Sequence, residues 1–264
     1  MKYLKKMRMI KLISGTLLFF ITYSLFAQND DESTSKINDF SAVVIIQNKG
    51  ISTIPNLTLG KPAIIFDMKL GRKLTFEPEF RFSLETGKPW AMVFWWRYYG
   101  TFSDRFKVTF HANHSLSYKS IELYNSDGTP REVIRANRYL AGAMSPVYQV
   151  NKYIGLGTYL FYARGLDPNM TKNTYMASFR PAFSNIPVTR TIFARVVPEI
   201  YYLRMDGNDG VFFNSRFLIS KKNCPFALSG LINKPISSNI PSDFDFLWNI
   251  GVNYTFNKKY VEAQ

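Results

Sequence analysis

The chain has 264 residues, a formal net charge of +14 and a single cysteine, Cys224. One cysteine excludes an internal disulfide framework and a cysteine metal site, so stability must come from burial and backbone hydrogen bonds. The basic charge would suit nucleic acid, but the arginines are spread along alternating strands rather than grouped in one run. We therefore expect no nucleic-acid partner.

The N-terminal segment has the order of a secretory signal peptide. Its first residues are basic, an apolar run follows from 12 to 26, and the small residue Ala27 ends it. This order predicts a signal peptide at 1–27. A retained signal anchor is the alternative, although the run is short for a span of about 20 apolar residues. The acidic stretch 28–39 is then a periplasmic N-terminal lead-in, and 40–264 forms one domain.

The segment 73–85, with the sequence KLTFEPEFRFSLE, alternates clearly between apolar and polar residues. Phe76 and Phe80 lie on one side of a strand with this sequence, and Glu77 and Glu79 lie on the other. A soluble protein buries the apolar face in a core. A membrane barrel turns that face to lipid and keeps the charged face in its lumen.

The same period of two recurs along the rest of the chain, and no apolar run after residue 27 is long enough for a transmembrane helix. About twelve segments show it, an even number that is typical of outer-membrane barrels. The fold prediction is therefore all-β, an antiparallel up-and-down transmembrane β-barrel of about 12 strands. The predicted strands are 40–47, 61–70, 73–85, 90–99, 106–117, 132–147, 152–164, 174–185, 190–204, 210–220, 224–233 and 245–257.

The connections between these segments alternate in length, which is also typical of outer-membrane barrels. One set consists mostly of short turns, and the other includes longer loops at 119–130, 165–173 and 234–243. This alternation predicts that the N- and C-termini are both periplasmic, on the side of the short turns.

Aromatic residues near the predicted strand ends are expected to form two girdles at the level of the lipid headgroups. The girdle at the short turns comprises Tyr98, Tyr99, Tyr148, Tyr153, Tyr254 and Phe256. The girdle at the long loops comprises Trp90, Tyr118, Tyr175, Tyr201, Tyr202 and Trp248. Pro78, Pro181 and Pro198 fall inside strands, where proline cannot donate to a ladder, so bulges or strand ends are predicted there.

The segment 246–256, FLWNIGVNYTF, alternates along its length and ends in an aromatic residue. It resembles the closing strand of outer-membrane β-barrels, which the barrel assembly machinery reads during insertion. With the lysine-rich N-terminus and the segments 87–90 and 94–98, the chain resembles uncharacterised outer-membrane β-barrel proteins of the Bacteroidota. The resemblance implies the outer membrane of a Gram-negative bacterium, with lipid and the assembly machinery as partners, and it implies no activity. The chain departs from the pattern because 257–264 continue beyond the aromatic residue.

If the apolar faces meet lipid, a set of charged residues faces the lumen, because Arg or Lys near the lipid midplane costs about 2–4 kcal/mol. One interpretation is an ion-pair lattice that fills the lumen, and we favour it because long side chains occupy a modest interior. The other is a selectivity surface for a small anionic solute, since bases outnumber acids. The set is Glu77, Glu79, Arg81, Arg97, Arg180, Arg195, Glu199 and Arg216.

One strand carries a polar trio, His111, Asn113 and Ser115, on a single face. Histidine and serine together suggest acyl transfer. However, residues two apart lie about 7 Å apart along a strand, and this face points to the lumen rather than to a lipid substrate. The chain has no Gly-x-Ser-x-Gly elbow and no histidine-rich metal cluster. The trio is therefore predicted to belong to a hydrogen-bond network in the lumen.

These observations predict a non-enzymatic outer-membrane β-barrel without cofactor or metal. Its expected role is that of a passive small-solute channel or of a structural or surface-binding protein with a charged lumen. A lipid-modifying, phospholipase-like barrel hydrolase is the alternative function. A soluble secreted β-domain is the alternative fold.

Overall fold

The computed structural model describes residues 37–242 and 245–261, with side chains over 39–242 and 245–257. The predicted signal peptide at 1–27 and most of the predicted lead-in lie outside the described residues. No helix in the described part of the chain is long and apolar enough to cross a membrane.

Twelve antiparallel strands form a closed barrel in which each strand pairs with its sequence neighbours and the last lies beside the first. The predicted up-and-down barrel of twelve strands is therefore confirmed. The strands are β1 (Ile37–Gln47), β2 (Ala63–Gly71), β3 (Leu74–Ser83), β4 (Pro89–Thr101), β5 (Phe106–Tyr124), β6 (Pro130–Gln149), β7 (Ile154–Gly165), β8 (Asn173–Pro187), β9 (Ile192–Met205), β10 (Asn208–Lys221), β11 (Phe226–Ser238) and β12 (Leu247–Val261).

The alternation in sequence becomes an alternation between the outside and the inside of the barrel. Outward side chains such as Phe66, Leu160 and Phe179 are apolar and exposed, whereas the inward Glu77 and Asn214 are buried. A soluble domain would bury its apolar face instead. In lipid the arrangement is favourable, because the closed ladder satisfies the backbone and the apolar side chains replace water contacts with acyl chains.

The two ends of the barrel differ in their connections. The end with 72–73, 102–105, 150–153, 188–191 and 222–225 has only short turns and is called the short-turn end. The opposite, long-loop end carries 48–62, 166–172 and 239–246. The loop predicted at 119–130 is mostly strand, because the β5–β6 ladder continues until Tyr124 pairs with Pro130.

The three prolines lie inside strands, so the bulges or strand ends predicted at them were wrong. Pro78 pairs with Phe94, Pro181 with Leu156 and Pro198 with Ser215, each in a continuous register. Each proline instead leaves a gap in the ladder on its other side. Pro181 and Pro198 share one gap, because the β8–β9 pairing stops after Phe179 opposite Ile200 and resumes at Phe183 opposite Val196. The missing donors of these three prolines thus coincide with two gaps in the ladder.

Three residues of the predicted girdles face the lumen instead. Trp90 turns inward because the β3–β4 register shifts between Arg81 and Phe82, which changes the alternation at the start of β4. Tyr99 and Tyr201 each follow or precede another tyrosine of the girdles, and only one residue of an adjacent pair can face lipid. Tyr98 and Tyr202 are the outward members of those pairs.

The outward apolar face generates a stability prediction. Leu160 lies near the middle of β7 and is 46% exposed, so Leu160→Arg would put a charge on the lipid side of the barrel. We expect the free energy of unfolding in lipid vesicles, measured by urea titration, to fall by about 2–4 kcal/mol. Tyr124→Arg, at the exposed tip of β5, is the control and should leave it unchanged. Equal losses for both variants would contradict the lipid-facing assignment.

Candidate functional site in the lumen

A loop folds into the lumen from the long-loop end. This loop, L1, comprises residues 48–62 between β1 and β2 and contains a 3-10 turn at Pro55–Leu57. The Trp90 indole on β4 donates to the Leu57 carbonyl at 2.9 Å. On the far side of the barrel, Tyr201 on β9 donates to the Thr53 carbonyl at 2.8 Å, and Asn233 on β11 donates to the same oxygen at 3.2 Å. L1 therefore reaches across the lumen.

Apolar packing reinforces these hydrogen bonds. Ile54 packs against a buried cluster that includes Tyr201, Leu203 and Phe212. Leu59 packs against the buried pair of Ala63 and Trp90 on the opposite wall. The sequence pattern predicts no role for 48–62. The available signal was the apolar character of a connection that should otherwise be polar, with Ile51, Ile54, Leu57 and Leu59 in one loop.

The wall formed by β2, β3 and β4 carries a compact cluster of paired charges. Glu77 is buried and forms an ion pair with Arg97. Its carboxylate also accepts hydrogen bonds from Thr75 at 2.7 Å and from Tyr99 at 2.8 Å. Lys69 lies 3.7 Å from the same carboxylate.

A second ion pair completes that wall. The Arg81 Nε donates to Glu79 Oε1 at 2.5 Å, and the Arg81 guanidinium lies 5.0 Å from the centre of the Trp90 ring. Asp67 also faces inward on β2, as does Lys69; both were absent from the predicted set, although they follow the same alternation. The acids and bases on this wall balance, so it matches the predicted ion-pair lattice in its geometry.

The wall formed by β8, β9 and β10 contains a fully buried carboxylate. Glu199, only 1% exposed, accepts hydrogen bonds from Arg216 Nη2 and from Ser178 Oγ, each at 2.6 Å. Arg180 donates to Ser145 Oγ at 2.5 Å. Its guanidinium lies over the Tyr159 ring, 4.4 Å from the ring centre. Of the three arginines on this wall, Arg180 and Arg216 are thus held in place by neighbouring side chains.

The remaining arginine, Arg195, is exposed within the lumen and makes no hydrogen bond or ion pair with the described side chains. It shares with Arg180 and Arg216 a solvent-accessible cavity of about 430 Å³, which we call the vestibule. Gln149, Gly155 and Ser184 also line it, and they lie in the halves of their strands nearest the short-turn end. All eight charged residues predicted for the lumen therefore lie on the inward face.

The structure does not bring the polar trio together as a catalytic unit. His111 accepts a hydrogen bond at Nδ1 from Arg97 Nε at 3.0 Å, and its ring has edge contacts with Trp95 and Tyr159, each at 5.8 Å. His111 therefore lies between the two charged walls. No hydrogen bond joins His111 to Ser115 among the described residues.

Asn113 and Ser115 instead line a smaller cavity of about 140 Å³ beneath L1. The cavity is mostly apolar, with Trp90 and Phe161 in its wall. The Asn113 Oδ1 is buried and has no hydrogen-bond partner in the described structure. Over the same residues, no group of three or more His, Cys, Asp or Glu side chains could hold a metal ion.

The comparisons with known proteins agree with this geometry at the level of the fold. No protein-family model and no curated protein sequence matches the chain. Among solved structures, the KdgM porin in complex with disordered oligogalacturonate is 8% identical, with a TM-score of 0.51, over 83% of this chain and 99% of that one. LpxR from Salmonella typhimurium is 11% identical, with a TM-score of 0.44, over 82% of this chain and 99% of that one. The closed barrel of twelve strands and its likeness to the KdgM porin show that the chain has the fold of an outer-membrane β-barrel and is porin-like in architecture.

The separation of His111 from Ser115 generates a prediction about catalysis. Because His111 is bound to Arg97 and Ser115 lines the cavity beneath L1, we expect no acyl transfer by this pair. Refolded wild type, His111→Ala and Ser115→Ala should hydrolyse phospholipid in mixed micelles at the same rate as the detergent blank. A wild-type rate above the blank that falls in both variants would establish the hydrolase alternative.

Proposed function

We propose that the protein is a non-enzymatic channel for small solutes in the outer membrane of a Gram-negative bacterium, closed at its long-loop end by L1. Its N- and C-termini are then periplasmic. Lipid surrounds it, and the barrel assembly machinery inserts it. The observation that carries the proposal is that L1 crosses the lumen and bonds to β4, β9 and β11.

Parts of the lumen below L1 are open, which supports a channel over a lattice that fills the whole interior. The vestibule leaves about 430 Å³ open beside β6–β10, and a further 140 Å³ lies beneath L1. The balanced ion pairs lie on the wall of β2–β4, and the wall of β8–β10 holds the single pair of Glu199 and Arg216. On the way to the long-loop end, a solute in the vestibule would first meet the layer in which His111 contacts Trp95 and Tyr159, and then L1.

The attachment of L1 is suited to release. Between the described residues, the hydrogen bonds from the tip of L1, 52–58, to the barrel walls use the carbonyl groups of Thr53 and Leu57. Each such bond contributes about 0.5–1.5 kcal/mol net. The base of the loop is held separately, because Gly50 donates to the Lys61 carbonyl at 2.7 Å and its own carbonyl accepts from Leu59 at 2.9 Å. The tip can thus leave the lumen while the base stays closed.

The closed base also permits a sharp test in planar lipid bilayers. Replacing 52–58 by two glycines removes the tip and keeps Gly50 and Lys61 in their places. We expect rare, small conductance steps for wild type. The steps should be at least about tenfold more frequent or larger for the shortened protein, because the tip of L1 no longer blocks the long-loop end. The control variant replaces the exposed turn 125–129 by two glycines and should behave as wild type.

Two outcomes would overturn the proposal. No channel events in either protein at any voltage would exclude a channel and favour a structural or surface-binding barrel. Equal open conductance in wild type and in the shortened protein would show that L1 does not close the lumen.

A further inference from the structure

We propose that the vestibule is a binding site for a small solute that carries two or more carboxylate or phosphate groups. The inference deepens the proposed function, on which it rests for the role of the bound molecule, by naming the class of solute. The site comprises Arg180, Arg195 and Arg216, with Ser145, Gln149 and Ser184 as further polar groups around the same cavity.

The positive charge of the vestibule is only partly compensated by the described residues of the protein. Three guanidinium groups line it, and the one nearby carboxylate, Glu199, is fully buried and already bound by Arg216 and Ser178. The opposite wall shows the contrast, since there Glu77 and Glu79 are each paired with an arginine. An anion is the species that would complete the charge balance in the vestibule.

The arginines are arranged to bind more than one anionic group. Glu199 fixes Arg216, and Ser145 with Tyr159 fixes Arg180, so these two guanidinium groups lose little freedom when a ligand binds. Each guanidinium carries five N–H donors, and the described contacts use only a few of them. Arg195 has all of its donors available. The planar guanidinium group binds carboxylate and phosphate through paired hydrogen bonds.

The vestibule also has room for such a molecule. Its volume of about 430 Å³ lies within the range of about 300–1,000 Å³ for small-molecule sites. Gly155 and Gly157 form part of its wall on β7, where Gly157 pairs with Arg180 on β8. At Gly157 a Cβ would lie 3.3 Å from the Arg180 carbonyl and 3.4 Å from Val147, so a side chain there would crowd the wall and reduce the space.

Isothermal titration calorimetry of refolded, full-length barrel in detergent tests the site, with citrate as the probe. We expect wild type to bind citrate with an affinity that falls between about 0.1 M and about 1 M salt, because the attraction is electrostatic. Acetate and glucose should show no binding under the same conditions. Arg195→Gln should weaken citrate at least about tenfold, and circular dichroism should show an unchanged barrel, since Arg195 has no described side-chain partner.

Arg190→Gln is the matched control, because it removes the same charge from an exposed turn at the short-turn end but outside the vestibule. Its citrate affinity should equal that of wild type. No citrate binding by wild type, equal weakening in both variants, or acetate binding as tight as citrate would overturn the inference. The calorimetric assay does not depend on conduction. Citrate binding without channel events would therefore contradict only the channel proposal. Channel events without citrate binding would contradict only the proposed binding site.

Discussion

The closure of the backbone ladder is the constraint on which the rest of the structure depends. No water reaches the backbone inside a bilayer, so every strand must find partners on both sides. At the seam between the first and last strands, Asn48 N donates to the Ile250 carbonyl at 3.1 Å. The Asn249 side chain donates to Gln47 Oε1 at 2.9 Å and to the Lys49 carbonyl at 3.0 Å. Polar side chains thus seal the barrel just where L1 begins.

Closure divides the side chains into two environments, and charged groups then have only the lumen in which to lie. What distinguishes the two walls of that lumen is whether the charges find partners within the protein. Glu77 and Glu79 are paired with neighbouring bases, so the charges on the β2–β4 wall are balanced within the protein. Arg195 has no such partner among the described residues, so its guanidinium on the opposite wall is available to an anion from solution. The lumen therefore has one wall whose charges are balanced and one wall with excess positive charge.

The fold was predictable because apolar residues that face lipid alternate with polar residues that face the lumen along each strand. The inward direction of the charges, including Glu199 and Arg216, follows from the same period of two. The inward direction of Trp90 was not predicted. A shift in the β3–β4 register reverses the direction of its side chain, and no local sequence pattern marks that shift. The pairing of Glu199 with Arg216 depends on the register of β9 against β10 and on side-chain rotamers. The role of L1 depends on strands far along the chain, which the loop sequence does not specify.

That distance along the chain has a consequence for assembly. Thr53 in L1 is separated from Tyr201 by 148 positions and from Asn233 by 180 positions. Contacts between such remote residues form late, because the chain must first pay the entropy of closing a long loop. L1 leaves β1 early in the sequence, yet its binding partners exist only after β9 and β11 have joined the sheet. The loop is therefore expected to remain outside the nascent barrel and to seat in the lumen as one of the last events of folding.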